Sequence, residues 1–366
     1  MEGLSFEIRD RTNAFERNVV DHRGAEANLL WNNASTAFFV LDDNHPAVPA
    51  IVEPGAKAIV RFRGDEEFRG RITATPGAGP NGHVTCYITD WRRKVDEWQG
   101  WPKPAATHTG QDIEFRRYTG SLETIIKTAV AENVARLGRN WVMAPDQGRI
   151  PDSKPIDFRM DFLGDLLWPP LRDTVYGLEL TYPGDVPTLD LRTPETIGGI
   201  LDASSGRIDS VSYSRRAPTA SRATIGGPGD GVDRKFDVVI DSAREALWDD
   251  ITEVFVNATR REATDDLKPD GQSALDAGAA STSIAMELTE QKSFRYRVHY
   301  QLGDLLPVRL GAVESTEVVQ RVLIKDEPDN GITITPSIGD VVRNEIHLLT
   351  RQLARLQANV RNQGRR

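Results

Sequence analysis

The chain holds a single cysteine, Cys86, among its 366 residues. That excludes an intrachain disulfide and any cysteine cluster for zinc. Long hydrophobic runs are also missing: no uncharged apolar stretch approaches the ~18–20 residues needed to cross a bilayer, so no membrane span is expected. The opening Met1-Glu2-Gly3-Leu4-Ser5 lacks a basic region followed by an apolar run. No signal peptide is therefore expected, and synthesis is expected in a cytoplasm. Basic charge is in deficit, with 45 Lys+Arg against 54 Asp+Glu and a net charge of −9. A surface built to coat nucleic acid needs the opposite balance.

Catalytic signatures are equally scarce. The six histidines, His22, His45, His83, His108, His299 and His347, never fall at ligand spacing, and there is no G-x-S-x-G elbow. Gly77-Ala78-Gly79-Pro80-Asn81-Gly82 carries the letters of a dinucleotide fingerprint. Pro80 and the strand that follows deny it the helix N-terminus that would hold a pyrophosphate, so it reads as a loop. Gly226-Gly227-Pro228-Gly229-Asp230-Gly231 reads the same way, and Arg63-Gly64-Asp65 reads as a turn. Asp326-Glu327-Pro328-Asp329-Asn330-Gly331 resembles a calcium loop, but Ser337 stands where the bidentate Glu belongs. Among 54 acidic residues no pair is singled out for catalysis. The expectation is a protein without enzymatic activity, cofactor or metal.

What is present is a folded, multidomain composition: 39% hydrophobic, 27% charged, and long enough for two or three cores. Residues 1–104 read as a first β-barrel domain, with strands at 4–9, 37–41, 58–63, 68–75 and 84–89. Val84, Cys86 and Ile88 share a face, so Cys86 reads as a buried strand thiol. Residues 105–204 read as a mixed α/β domain. A helix opens at Ser121, carries Leu122, Ile125, Ile126, Ala129, Val130 and Val134 on one stripe, and closes near Gly138. A second helix, 162–167, is expected to stop before Pro169-Pro170. Strands return at 208–215, 221–225 and 236–240 and resume at 294, and residues 241–293 are less regular. A helix is expected near 274–280.

An internal echo suggests two similar β-barrels in one chain. Arg71-Ile72-Thr73-Ala74 lies 19 positions from Asp90, as Arg321-Val322-Leu323-Ile324 lies from Asp340, and both spans read strand, glycine-bearing loop, strand. Hairpin physics alone can also produce such a match. Residues 341–366 then change to heptads. Val342, Ile346, Leu349, Leu353, Leu356 and Val360 are spaced 4, 3, 4, 3, 4, the seam of a self-associating coiled-coil helix. A terminal helix docked on its own domain is the alternative. This segment is basic, with Arg343, Arg351, Arg355, Arg361, Arg365 and Arg366 against Glu345, which suggests an acidic neighbour or a solvated face.

The chain resembles the baseplate-hub or tail-associated (minor tail) proteins at the tail tip of long-tailed phages. The resemblance rests on Pro54-Gly55 with the Arg61 to Asp90 strands, on Gln301-Leu302-Gly303-Asp304 leading to Val308 and Val322 and ending Ser337-Ile338-Gly339-Asp340, and on the Ser121 helix domain between them. It implies two tail-tube-like β-barrels per chain, the second formed by residues 205–240 and 294–340 with 241–293 inserted and joining the α/β domain, and a ring-shaped homotrimer that joins a sixfold tube to threefold tip components. It also implies a lumen for DNA that passes without specific binding. The partners implied are a distal tail protein or the tube end, and other tip, fibre or spike proteins; the place implied is the virion. A cell-wall hydrolase, or a glycan-binding adhesin stacking sugars on Trp91, Trp98 and Trp101, are the alternatives.

Overall fold

The computed structural model describes residues 3–77, 82–151, 153–202, 208–229, 231–259, 266–288, 294–310 and 313–339. The heptad segment lies outside the described residues. The chain divides into two compact units, Met1–Ser210 with Met286–Arg366, and Val211–Ala285.

The first unit opens with seven antiparallel strands: β1 (Leu4–Arg9), β2 (Phe15–Val19), β3 (Gly24–Leu30), β4 (Thr36–Asp42), β5 (Lys57–Phe62), β6 (Asp65–Ala74) and β7 (His83–Asp90). They lie in the order β3-β4-β7-β6-β5-β1-β2. Alternation places Phe6, Ile8, Phe39, Leu41, Val60, Cys86 and Ile88 on the inner face, where all are buried. The Phe6 and Phe39 rings pack across that interior with centroids 4.4 Å apart. Arg63 and Gly64, both at positive φ, make the tight turn between β5 and β6. β2 and β3 carry weak strand signals. β2 is nearly all exposed, and β3 offers Ala25 and Ala27 to the core, a residue poorly suited to strands.

β3 is held in place by a partner far along the sequence. Strand Val313–Glu327 is 15 residues long. Its first part pairs with Leu305–Leu310, and from Arg321 to Asp326 it pairs with β3, while Gly331–Ile338 runs along its other edge. The two β regions are thus joined in one continuous sheet. No ladder closes either region among the described residues. The physical cause is the length of this strand, which carries hydrogen bonding from one region into the other. The echo survives as topology. Lys57–Phe62, β6 and β7 form one meander; Leu305–Leu310, Val313–Glu327 and Gly331–Ile338 form another. Their registers differ: Arg71 faces Thr89, but Arg321 faces Ser337, because the second hairpin turns tightly at Pro328–Asn330.

Between the β regions lies the mixed domain. Helix Leu122–Arg136 starts where Ser121 Oγ accepts the Thr124 N–H at 3.1 Å and ends at Gly138, φ +60°. Helix Leu163–Arg172 runs through Pro169 and Pro170 rather than stopping before them. The prolines deprive the Asp165 and Leu166 carbonyls of helical donors. Burial of Leu163, Leu167, Trp168 and Leu171 against the long helix outweighs that loss.

In the second unit, strand Arg222–Gly226 pairs antiparallel with Phe236–Ile240 and parallel with Glu253–Asn257. These first two strands were expected in a barrel with residues 294–340. Arg222–Gly226 pairs instead with Glu253–Asn257, within the stretch expected to be an insertion. Helix Lys268–Ala277, which begins earlier than the expected 274–280, packs Leu275 onto Ala223 and Val239. The other sheet face leaves Phe236, Val238, Ile240 and Phe255 exposed.

Pro169 is solvent-exposed, so its ring contributes little packing. Pro169→Ala returns a donor to the helix and is expected to stabilise the chain by about 1–2 kcal/mol, after allowance for the freer unfolded state. Urea denaturation followed by circular dichroism measures this.

Candidate functional site

The described residues contain no cluster of three or more His, Cys, Asp or Glu placed to hold a metal ion. A buried polar constellation lies at the junction of the first β region, the mixed domain and the strands beyond residue 300. Trp31 follows β3 and is wedged between two glycines. A Cβ on Gly177 would lie 2.1 Å from the Trp31 ring, and one on Gly303 would lie 2.3 Å from it. Asn32, φ +48°, turns its side chain onto the mixed domain: Nδ2 donates to the Tyr176 carbonyl at 2.7 Å, and Oδ1 accepts the Leu178 N–H at 3.0 Å. The amide thereby substitutes for a strand partner at an edge of the Gly177–Thr181 strand.

Arg92 completes the junction. It is only 8% exposed, and Asp90 beside it 3%. Arg92 Nε donates to Asp90 Oδ2 at 2.6 Å, while its Nη atoms reach Ser35 Oγ (2.8 Å), the Leu30 carbonyl (3.2 Å) and the Leu178 carbonyl (3.3 Å). Arg192 mirrors it, donating to the Leu302 carbonyl and to Asp304 Oδ1 at 2.7 Å each. Burial raises the Asp304 carboxyl above its usual range, with the Gln301 N–H and Arg192 opposing.

Two further buried charge groups test the hydrolase alternative. Glu123 is fully buried. Lys127 Nζ donates to Glu123 Oε1 (2.6 Å), Asp190 Oδ1 (2.7 Å) and the Pro145 carbonyl (3.0 Å). Arg149 Nη1 lies 3.2 Å from Glu123 Oε1 and 3.0 Å from Asp190 Oδ1. Two carboxylates thus face two cations. Burial pushes the Asp190 carboxyl up, but Lys127, the Leu191 N–H and Arg149 outweigh it and hold it below the usual range. A general acid for glycoside hydrolysis needs the reverse shift. The other group joins Glu67 to the segment near residue 297: Arg297 Nε and Nη2 donate to its two oxygens at 3.0 and 2.9 Å, and Tyr296 Oη donates at 2.7 Å. Burial raises the Glu67 carboxyl.

Cys86 is buried and its thiol is pushed up to about 12 by desolvation, so it is an inert core residue. Of the tryptophans considered for sugar stacking, Trp98 packs on Trp141 with centroids 4.8 Å apart, and Trp101 lies under Arg136 at 4.5 Å. Both serve the mixed domain. The seam residues Val342, Ile346, Leu349, Leu353, Leu356 and Val360 lie outside the described residues.

Trp31, Asn32 and Arg92 together join the three parts of the first unit. The family described as Siphovirus ReqiPepy6 Gp37-like protein matches residues 5–340. The chain belongs to that family. No curated protein matches its sequence. Among solved structures, a 43 kDa tail protein of prophage MuSo2 from Shewanella oneidensis superposes with a TM-score of 0.58 at 10% identity, covering 92% of this chain and 97% of that one. Prophage tail protein gp18 from Listeria monocytogenes gives 0.56 at 11%, covering 98% and 100%. A tail protein from Neisseria meningitidis gives 0.55 at 12%, covering 92% and 96%. At such identities the likeness is one of fold: this family member has the β-rich α+β fold of phage tail proteins.

The junction residues escaped sequence reasoning. Trp31-Asn32-Asn33 reads as a loop, and nothing in Arg92 announces that its acceptors sit at positions 30, 35, 90 and 178.

Arg92→Leu leaves Asp90 buried and unpaired and is expected to cost about 3–5 kcal/mol, read from a lowered denaturation midpoint. The Asp190 shift carries a pH dependence. A carboxyl depressed in the folded state stabilises above its unfolded pKa, ~4, and loses that contribution as pH falls through the folded value. Stability should therefore fall between about pH 5 and about pH 2, and Asp190→Asn should flatten part of that slope in acid titrations of near-ultraviolet circular dichroism.

Proposed function

We propose that this chain is the structural hub of a phage tail tip: a ring-shaped homotrimer that joins the sixfold tail tube to threefold tip components and lets DNA pass. The observation that carries the reading is the family match over residues 5–340, joined to a fold shared along nearly the whole length of three tail proteins. The repeated meander supports the arithmetic. Two similar β regions per chain, three times over, offer six comparable elements to a sixfold tube through a heterologous interface that closes. The net charge of −9 suits a lumen that does not hold phosphate.

The three copies are held by the heptad seam of Val342, Ile346, Leu349, Leu353, Leu356 and Val360. Neighbours are a distal tail protein or the tube end on one side and tip, fibre or spike proteins on the other. The protein works in the virion after synthesis in the host cytoplasm, without hydrolytic activity: the buried carboxylates Glu123 and Asp190 are committed to Lys127 and Arg149.

Light scattering on the free protein should give three times the chain mass, and averaged electron micrographs a ring with a lumen wide enough for duplex DNA. A dimer would overturn the reading. Replacing Leu349 and Leu353 together by Asp buries like charges in the seam. The particle mass should drop to that of one chain while the far-ultraviolet β signal stays. Loss of that signal instead would mean that the helix is docked on its own body.

A further inference from the structure

We propose that the outer face of the first sheet, around Tyr87, is a saccharide-binding site. The proposal stands apart from the trimer reading, since every residue it uses belongs to one chain. Tyr87 is 43% exposed in the middle of β7, on the face opposite the core. Phe38 is its cross-strand partner on β4, with ring centroids 5.9 Å apart and planes inclined at 45°. On the other side Tyr87 faces Ala74, where a bulge after Ile72 interrupts the ladder. Short side chains there leave a shallow concavity of about 330 Å³ beside the rings, at the lower end of the range for small-molecule sites.

Its rim is polar. Thr36 and Thr89 face each other across β4 and β7, Thr73 stands beyond, and Glu26 follows Phe38 on β3. Thr73 donates its hydroxyl to the Tyr87 carbonyl at 3.3 Å. The Glu26 carboxylate has Lys325 at 4.0 Å, so the rim carries no net charge of one sign.

An aromatic pair would by itself stabilise the sheet by a few tenths of a kcal/mol up to about 1, and that requires neither exposure nor a hollow. A pyranose ring fits what is left over. Its apolar C–H face covers an aromatic ring while its equatorial hydroxyls, each donor and acceptor, meet hydroxyls and a carboxylate around the edge. A stacked nucleobase would want a basic groove to follow its phosphates, and no Lys or Arg lines the hollow among the described residues.

The test is saturation-transfer nuclear magnetic resonance on the full chain, with chitotriose, cellotriose and maltotriose as probes. At least one should receive transfer. Tyr87→Ala should weaken binding by about tenfold or more, a loss of about 1.4 kcal/mol, and Tyr87→Phe should keep it, both with unchanged circular dichroism. If Tyr87→Ala perturbs the fold, the Thr36→Val, Thr89→Val double variant keeps both rings and decides: weaker binding supports the site, unchanged binding overturns it. Absence of transfer to all three sugars, or equal transfer to a folded Tyr87→Ala, also overturns it. So does binding of an oligothymidylate where the sugars fail.

Discussion

A guanidinium cannot be buried without acceptors for its N–H groups, and Arg92 meets that demand from three directions. Its bonds reach Leu30 and Ser35 on either side of the turn between β3 and β4, Asp90 at the end of β7, and Leu178 in the mixed domain. The ion pair with Asp90 is local, but the remaining bonds form only when those elements have docked. Trp31 imposes the same condition by shape. Its ring fits because Gly177 and Gly303 lack side chains, and these glycines come from segments that are distant in sequence. A buried polar network of this kind does little for net stability compared with an apolar one of equal volume, but it penalises any misdocked arrangement heavily.

The long strand Val313–Glu327 extends that constraint to the whole first unit. By pairing with Leu305–Leu310 and then with β3, it turns two β regions into one sheet. Asp326 on the same strand accepts the Leu4 N–H at 2.8 Å, so the first strand is tied to one of the last. The ends of the described chain are thereby held through the same sheet, and the mixed domain is clasped between them by Asn32 and Arg192. Buried charge is balanced in groups such as Glu123 and Asp190 with Lys127 and Arg149, which tie distant segments together.

Local patterns were legible where they carried their own signal. Alternation located β1, β4, β5, β6 and β7, and the Ser121 cap with its apolar stripe located the long helix, because these features concern neighbours a few residues apart. The Leu163–Arg172 helix was cut short because proline chemistry is local, whereas the packing that overrides it is not. β3, with alanines facing inward, is a strand only because β4 and Val313–Glu327 flank it. The strands Arg222–Gly226 and Phe236–Ile240 were found, but their partner was not, since pairing depends on loop closure over distances that periodicity does not see.

The sequence by itself determined that this protein is β-rich, with a helical stretch between two groups of strands, and that it carries no spacing of a known metal or nucleophile motif. Those properties follow from composition and from periods of two and 3.6 residues. Only the tertiary structure decided that the two strand groups share one sheet, that Trp31, Asn32 and Arg92 form the joint, and that Glu123 and Asp190 are neutralised. Each of these depends on which distant residues meet, and the sign and cost of a buried charge are set by its neighbours in space.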